Sequence, residues 1–247
     1  MRKIVLAVLL MTAGLYGQKI YATFDVEAEK SAELSLTSGG TIKQVKVDVG
    51  SRVKKGDVLL SLDNRDLYEA LELARAKLEL AKISEKYAKR NFSRFEKVKS
   101  VIDEGEYDRY ASAYEEAVSR VYEARVNVRY KEALLEKSVL KAPFDGVIYD
   151  KPVEVGDVVS GAMIKVLLRL QSTEDVKLKL AVDQKYWKTL KPGQAFSYRV
   201  DGDTSLRQGK VAKVYPTANS GNRKIIVEVP AKNIMPGLFG EGEIEVE

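Results

Sequence analysis

Between Asp66 and Gly105 the chain has neither glycine nor proline, and after Gly105 neither recurs until Pro143. Within the first stretch apolar residues alternate at spacings of four and three: Leu67, Leu71, Ala74, Leu78, Ala81, Ala88, Phe92, Phe95 and Ile102, with breaks at Glu85 and Lys99. This heptad-like pattern predicts a helix with one apolar seam, and either Asp63 or Asn64 is suited to cap its start. A helix of about 36 residues would extend roughly 54 Å. A seam of that length needs a partner to cover it. The partner follows a break at Asp103-Glu104-Gly105: Tyr107, Tyr110, Tyr114, Ala117, Val121, Ala124, Val128 and Leu135 keep the same spacing to Lys137, interrupted near Lys131. Two long amphipathic helices with a short connection are antiparallel neighbours, so residues 66–137 are expected to form a coiled-coil hairpin.

The flanks follow a different rule. From Glu33 to Asp63 polar and apolar residues alternate (Ile42, Val45, Val47, Val49, Val53, Val58, Leu60, Leu62), with glycines at 39, 40, 50 and 56, as expected of short half-buried strands joined by turns. After the hairpin the pattern returns as an imperfect repeat. Gly40-Thr41-Ile42 precedes Val49-Gly50 and Val53, and Gly146-Val147-Ile148 precedes Val155-Gly156 and Val159 with the same spacing. Each unit is too small to bury its own face, so residues 33–65 and 138–172 are expected to pair into one sandwich, with the hairpin's ends side by side at a hinge. Beyond it, alternating runs at Val176 to Val182, Ala195 to Val200, Gly209 to Val214, Lys224 to Val229 and Gly242 to Val246 are separated by turn-rich segments. They predict a small β-barrel over residues 173–247, joined by an N-terminal strand at 23–32. The fold class expected is α+β, mainly β, with a long helical hairpin, a split sandwich and a barrel.

Cysteine and histidine are absent, which removes disulfides, thiolate and imidazole metal ligands, and cysteine or serine–histidine nucleophiles. Four methionines form no cluster and the carboxylates are dispersed beside lysines, so no catalytic, cofactor or metal site is expected. Met1-Arg2-Lys3, an apolar run from Ile4 to Leu15 and small or polar residues to Ala22 have the order of a secretory signal peptide. The run is short for a membrane span. Residues 1–22 are therefore read as exported and removed after Gly17 or Ala22, with an uncleaved anchor as the alternative because Leu15 and Ile20 are large for their positions. Without Arg2, Lys3 and Lys19 the chain carries 38 cations against 36 anions, interleaved along the helices, which argues against a nucleic-acid partner.

Several of these pieces together resemble the periplasmic adaptor, or membrane fusion, proteins of tripartite export systems. They are Gly40-Thr41-Ile42 through Val53-Lys54-Lys55-Gly56-Asp57 to Leu62-Asp63, the hairpin, Leu140-Lys141-Ala142-Pro143-Phe144-Asp145-Gly146-Val147-Ile148, and Val155-Gly156-Asp157. Lys191-Pro192-Gly193-Gln194, Asn222-Arg223-Lys224 and Met235-Pro236-Gly237 resemble the family's barrel turns. The resemblance implies a lipoyl-like split domain and a non-enzymatic subunit in the Gram-negative periplasm, associated with the inner membrane. It implies a ring, a hexamer or trimer of dimers, that bridges an inner-membrane transporter and an outer-membrane channel, with the hairpin tip on the channel and the β-domains facing the transporter.

Adaptors of proton-driven pumps carry at the tip an arginine, a leucine four residues later and a serine seven beyond. Arg94 and Val98 resemble the first two, Ile102, Asp103 and Tyr107 lie around the third, and Asp103 replaces the serine two residues early. A proton-driven pump is the partner expected, with an ATP-driven exporter, or an envelope coiled-coil protein unrelated to export, as alternatives. The chain also ends with the barrel where larger relatives add a membrane-proximal domain, so transporter contacts are expected on the barrel and the N-terminal segment. Asp103 and Gly105 are equally suited to ending and capping helices, and Tyr107, Tyr110, Tyr114 and Tyr122 to packing across the hairpin. A lipoyl or biotinyl carrier requires a lysine in a tight hairpin between the half-domains; here that connection is the helical hairpin, and Lys54-Lys55-Gly56 reads as an ordinary turn.

Overall fold

The computed structural model describes residues 18–161 and 163–246. In chain order the elements are β1 (Gln18–Ala28), β2 (Ser31–Leu34), β3 (Gly40–Val45), β4 (Arg52–Val53), β5 (Val58–Leu62), α1 (Arg65–Glu96), α2 (Glu104–Lys137), β6 (Val139–Lys141), β7 (Gly146–Asp150), β8 (Val158–Val159), β9 (Leu168–Gln171), β10 (Asp175–Asp183), a 3₁₀ turn (Gln184–Tyr186), β11 (Ala195–Val200), β12 (Arg207–Lys210), β13 (Lys213–Asn219), β14 (Lys224–Lys232) and β15 (Phe239–Val246). The described residues up to Ser31 and from Gln171 form one compact unit, and Ala32–Leu170 the other. Among the described residues no helix is long and apolar enough to cross a membrane.

In the second unit the two half-motifs interlock. β3 pairs with β8 (Gly40 opposite Val159), while β4 pairs with β7 (Val53 opposite Gly146), so each half supplies a strand to the other's sheet. The turns repeat the exchange: Gly50 N–H donates to the Ile148 carbonyl, and Gly156 N–H donates to the Ile42 carbonyl. Both glycines hold positive φ, 87° and 98°, which a residue with a Cβ adopts only with strain. The four-stranded sheets β2-β9-β7-β4 and β6-β5-β3-β8 enclose a core of Ile42, Leu59, Leu60, Leu62, Ile148, Leu167, Leu168 and Leu170 among others. Lys54-Lys55-Gly56-Asp57 is a turn, tied by Asp57 and Asp145 carboxylates that accept from the backbone N–H groups of Lys54 and Lys55.

The first unit is a curled seven-stranded sheet in the order β12-β11-β15-β1-β10-β14-β13. Its core alternates along each strand, with Ile20, Ala22, Phe24 and Val26 from β1 meeting Leu178, Leu180, Phe196, Val227, Val229 and Ile244. Gly242 is required by close packing, since a Cβ there would lie 2.6 Å from the Phe196 ring. Two expectations need correction. The N-terminal strand starts at Gln18, not at residue 23, because Ile20 and Ala22 are buried and Lys19 pairs with Glu243 at 2.8 Å. Residues 1–17, the rest of the segment read as a signal peptide, lie outside the described residues. The run Gly209 to Val214 is two strands: β12 pairs with β11 and β13 with β14, and the chain changes neighbours at Val211, whose side chain is buried.

Candidate functional site

The hairpin is built from the seam that the sequence displays. Leu71, Ala74, Ala117, Val121 and Val128 are buried, and Leu67, Leu78, Ala81, Ala88, Phe92, Phe95, Tyr107, Tyr110, Tyr114, Ala124 and Leu135 are half-buried between the helices. Arg75 bridges Glu72 on its own helix at 2.9 Å and Glu132 on the other at 3.0 Å. At the base neither predicted cap forms. Asn64 occupies the cap position but its side chain donates to Ser138 Oγ at 3.1 Å, joining the two helix ends, and Asp63 pairs with Arg65 at 2.7 Å. The Arg65 guanidinium holds the Asp63 carboxyl below the usual carboxylate range.

Toward the tip, aliphatic packing gives way to rings. Phe95 stacks on Tyr110 with centroids 3.8 Å apart, and Phe92 lies between Tyr114 at 5.6 Å and Tyr107 at 5.8 Å. Lys99, which breaks the seam in sequence, sets its ammonium 4.3 Å above the Tyr107 ring, an attraction between cation and ring quadrupole. Tyr107, Tyr110 and Tyr114 thus pack across the hairpin, whereas Tyr122 does not: it is 65% exposed.

The reversal comes earlier than expected. α1 ends at Glu96 after 32 residues, about 48 Å, and residues 97–102 turn back through i to i−3 bonds from Val98 N–H to Phe95 and from Val101 N–H to Val98. Gly105 lies within the first turn of α2 and the break precedes Asp103, because Asp103 caps α2: it is extended (φ −60°, ψ 136°) and its carboxylate accepts from Glu106 N–H at 3.3 Å.

The five residues singled out at the tip therefore divide. Arg94 is exposed on the last turn of α1, Val98 is 41% exposed in the turn, Ile102 and Tyr107 are half-buried inside it, and Asp103 is exposed while capping. Sequence reasoning missed Val101, 81% exposed at the apex. It also missed a second stripe: Leu73, Leu80, Ile83 and Tyr87 are each more than half exposed, and Ala76 completes their four-three spacing. This stripe is offset from the seam by two residues, about 200° around the helix, and so faces away from α2. The signal was present in the sequence, but one seam was enough to explain a hairpin. Among the described residues no three carboxylates gather as a metal-binding group.

A long antiparallel hairpin growing from the joint between two interlocked half-motifs defines a barrel-sandwich hybrid protein with an inserted coiled coil. The chain belongs to the CzcB-like barrel-sandwich hybrid domain family, which matches residues 30–166. Among curated proteins it is similar to the membrane fusion protein MtrC of Neisseria gonorrhoeae (24% identity, covering 87% of this chain and 57% of the relative). It is also similar to the macrolide export protein MacA of Escherichia coli O157:H7 (24%, covering 97% and 70%). The chain spans about half the length of the first curated relatives it matches. Its fold is that of the crystal structure of MacA from Actinobacillus actinomycetemcomitans, with a TM-score of 0.75 at 18% identity over 94% of this chain and 79% of that one. The motifs at Gly40–Asp63 and Leu140–Val159 that suggested the family fall inside the matched residues.

Proposed function

We propose that this protein is the adaptor subunit of an export assembly in the periplasm of a Gram-negative bacterium, joining an inner-membrane transporter to an outer-membrane channel and performing no chemistry itself. The observation that carries this reading is the hairpin. It spends its main seam internally, yet extends about 48 Å and ends in an exposed Arg94, Val98 and Val101. Relatives named membrane fusion and macrolide export proteins support the same reading. Docking falls to the tip, where Arg94, Val98, Ile102, Asp103 and Tyr107 form the contact, with Ile102 and Tyr107 acting as its support from within.

The stripe Leu73, Leu80, Ile83 and Tyr87 supports self-association, since exposed apolar residues at heptad spacing fit a neighbouring hairpin. A ring of six copies, or a trimer of dimers, would cover it. Arg94 and Val98 favour a proton-driven pump as partner, and Asp103 in place of serine departs from that pattern and leaves the ATP-driven exporter as the alternative.

The test is cross-linking of the hairpin to the channel, with substrate efflux measured alongside, for Arg94→Glu and for Asp103→Ser, which keeps the helix cap while removing the charge. Both substitutions together are expected to weaken cross-linking and efflux together. Unchanged docking and efflux would remove the tip assignment, and affinity purification that recovers neither transporter nor channel would favour an envelope coiled-coil protein unrelated to export.

A further inference from the structure

The strand registers bring a set of cations to one end of the barrel. Asp183 at the end of β10 lies opposite Lys224, the first residue of β14, and Lys224 lies opposite Asn219 at the end of β13. Gln184 N–H donates to the Arg223 carbonyl, and the turn Lys191-Pro192-Gly193-Gln194 is bonded at Gly193 and Gln194 to Val211. Lys185, Lys188, Lys191, Arg223 and Lys224 therefore share this end, and among the described residues none of them is ion-paired. The acidic residues nearby include Asp183, whose carboxylate accepts from Lys185 N–H, and on β15 Glu245 and Glu243, the latter paired with Lys19 at 2.8 Å.

At the same end Trp187, the chain's only tryptophan, is 64% exposed. It is held there by a firm turn. Leu190 is buried and Tyr186 packs on the barrel core, while Thr189 Oγ1 donates to the Tyr186 carbonyl at 2.9 Å. The Lys188 ammonium sits 5.3 Å from the Trp187 ring centre, and Trp187 borders an open groove of about 650 Å³ lined by Lys185, Tyr215, Pro216 and Ile225. The backbone at Arg223 has φ 56°, a conformation that favours glycine or asparagine, and the neighbouring residue is Asn222.

We propose that this end of the barrel rests on an anionic phospholipid surface, with Trp187 at the headgroup level and the five cations on lipid phosphates. Two features select lipid over a protein partner. Lysine, which supplies four of the five cations, is depleted in protein interfaces. Tryptophan beside lysines is the composition of membrane–water interfaces. The inference does not rest on the adaptor reading: a chain that binds such surfaces but recovers no transporter would keep it and lose the other.

Because Trp187 is the only tryptophan, its fluorescence reports this end alone. The full chain is mixed with vesicles of phosphatidylcholine, or of phosphatidylcholine with phosphatidylglycerol. Emission is expected to shift to the blue and to be quenched by brominated lipid with the anionic vesicles, and the shift is expected to reverse at high salt. At about 1 kcal/mol for each cation near such a surface, K185Q/K188Q/K191Q with an unchanged circular dichroism spectrum should partition about 100-fold less. Residues 1–17 are common to both proteins, so the salt-sensitive difference between parent and variant, and not the absolute partitioning, reports the barrel end. Emission in anionic vesicles equal to that in buffer, or a salt-insensitive shift, would overturn the proposal. So would a triple variant that partitions like the parent, including one that has lost an acidic protein partner.

Discussion

Glu228 on β14 shows how one polar residue is accommodated in the wall of the barrel. It is only 7% exposed, yet it accepts from Tyr215 Oη at 2.7 Å and lies 3.4 Å from Lys213 Nζ. Burial alone would raise its carboxyl pKa; the Tyr215 hydrogen bond and the Lys213 and Lys177 charges outweigh it, leaving the group below its ordinary value of 4.5. A carboxylate whose folded-state pKa is lowered stabilises the fold fully above the unfolded value, and that stabilisation is lost as pH falls through the folded one. Glu228→Gln is therefore expected to cost about 1 kcal/mol at pH 7, the difference between a charged and a neutral hydrogen bond. The deficit should shrink progressively below pH 4.5, where the parent's own carboxylate becomes protonated. Urea unfolding at neutral and acidic pH measures this, and an equal deficit at both would show that charge is not what Glu228 contributes.

Among the elements, α1 and α2 are the ones whose existence was plainest in the sequence and whose ends were not. The seam from Leu67 to Phe95 and from Tyr107 to Leu135 is inside the hairpin as its spacing requires. The ends depend on local competition that periodicity does not report. Asp63 is drawn off by Arg65 and Asn64 by Ser138, so α1 starts without a side-chain cap, while Asp103 does cap α2. Asp103→Ala should lower stability by about 1 kcal/mol and fray the first turn of α2, whereas Asp103→Ser should lose a few tenths. Amide hydrogen exchange across residues 103–108 reads the fraying directly. If Ala and Ser behave alike, the cap is not what the aspartate contributes. The candidate site was half legible for the same reason: Arg94 and Val98 were found from a family pattern and Phe92, Phe95, Tyr107 and Tyr110 from the seam spacing, but which ring stacks on which across the two helices, and the exposed apex at Val101, follow from no spacing rule.

On the scale of the whole molecule, the insertion point of the hairpin is set by the sandwich and not by the hairpin. Leu62 N–H donates to the Ser138 carbonyl, and β5 pairs with β6 directly beside the helix ends. The sandwich core from Leu34 to Leu170 includes no helical residue. Replacing residues 65–137 with a short glycine-rich loop is accordingly expected to leave a cooperatively folded β-protein with the helical circular dichroism signal removed. Slow amide exchange at Leu60 and Ile148 would report the surviving core. Fast exchange at both would mean that the hairpin holds the half-motifs together.

The sequence alone determined the two periodicities, the single break between the helices, the duplicated glycine motif and, through the absence of cysteine and histidine, the exclusion of disulfides and of thiolate or imidazole chemistry. These are properties of near neighbours along the chain, where spacing and side-chain volume are enough. Only the tertiary structure decided that β3 joins β8 and β4 joins β7, that strand β1 begins at Gln18, that one run is two strands, and that Trp187 shares an end with five cations. Each of those depends on which distant segment offers a free backbone edge or a matching cavity, and that competition is resolved only when the whole chain packs.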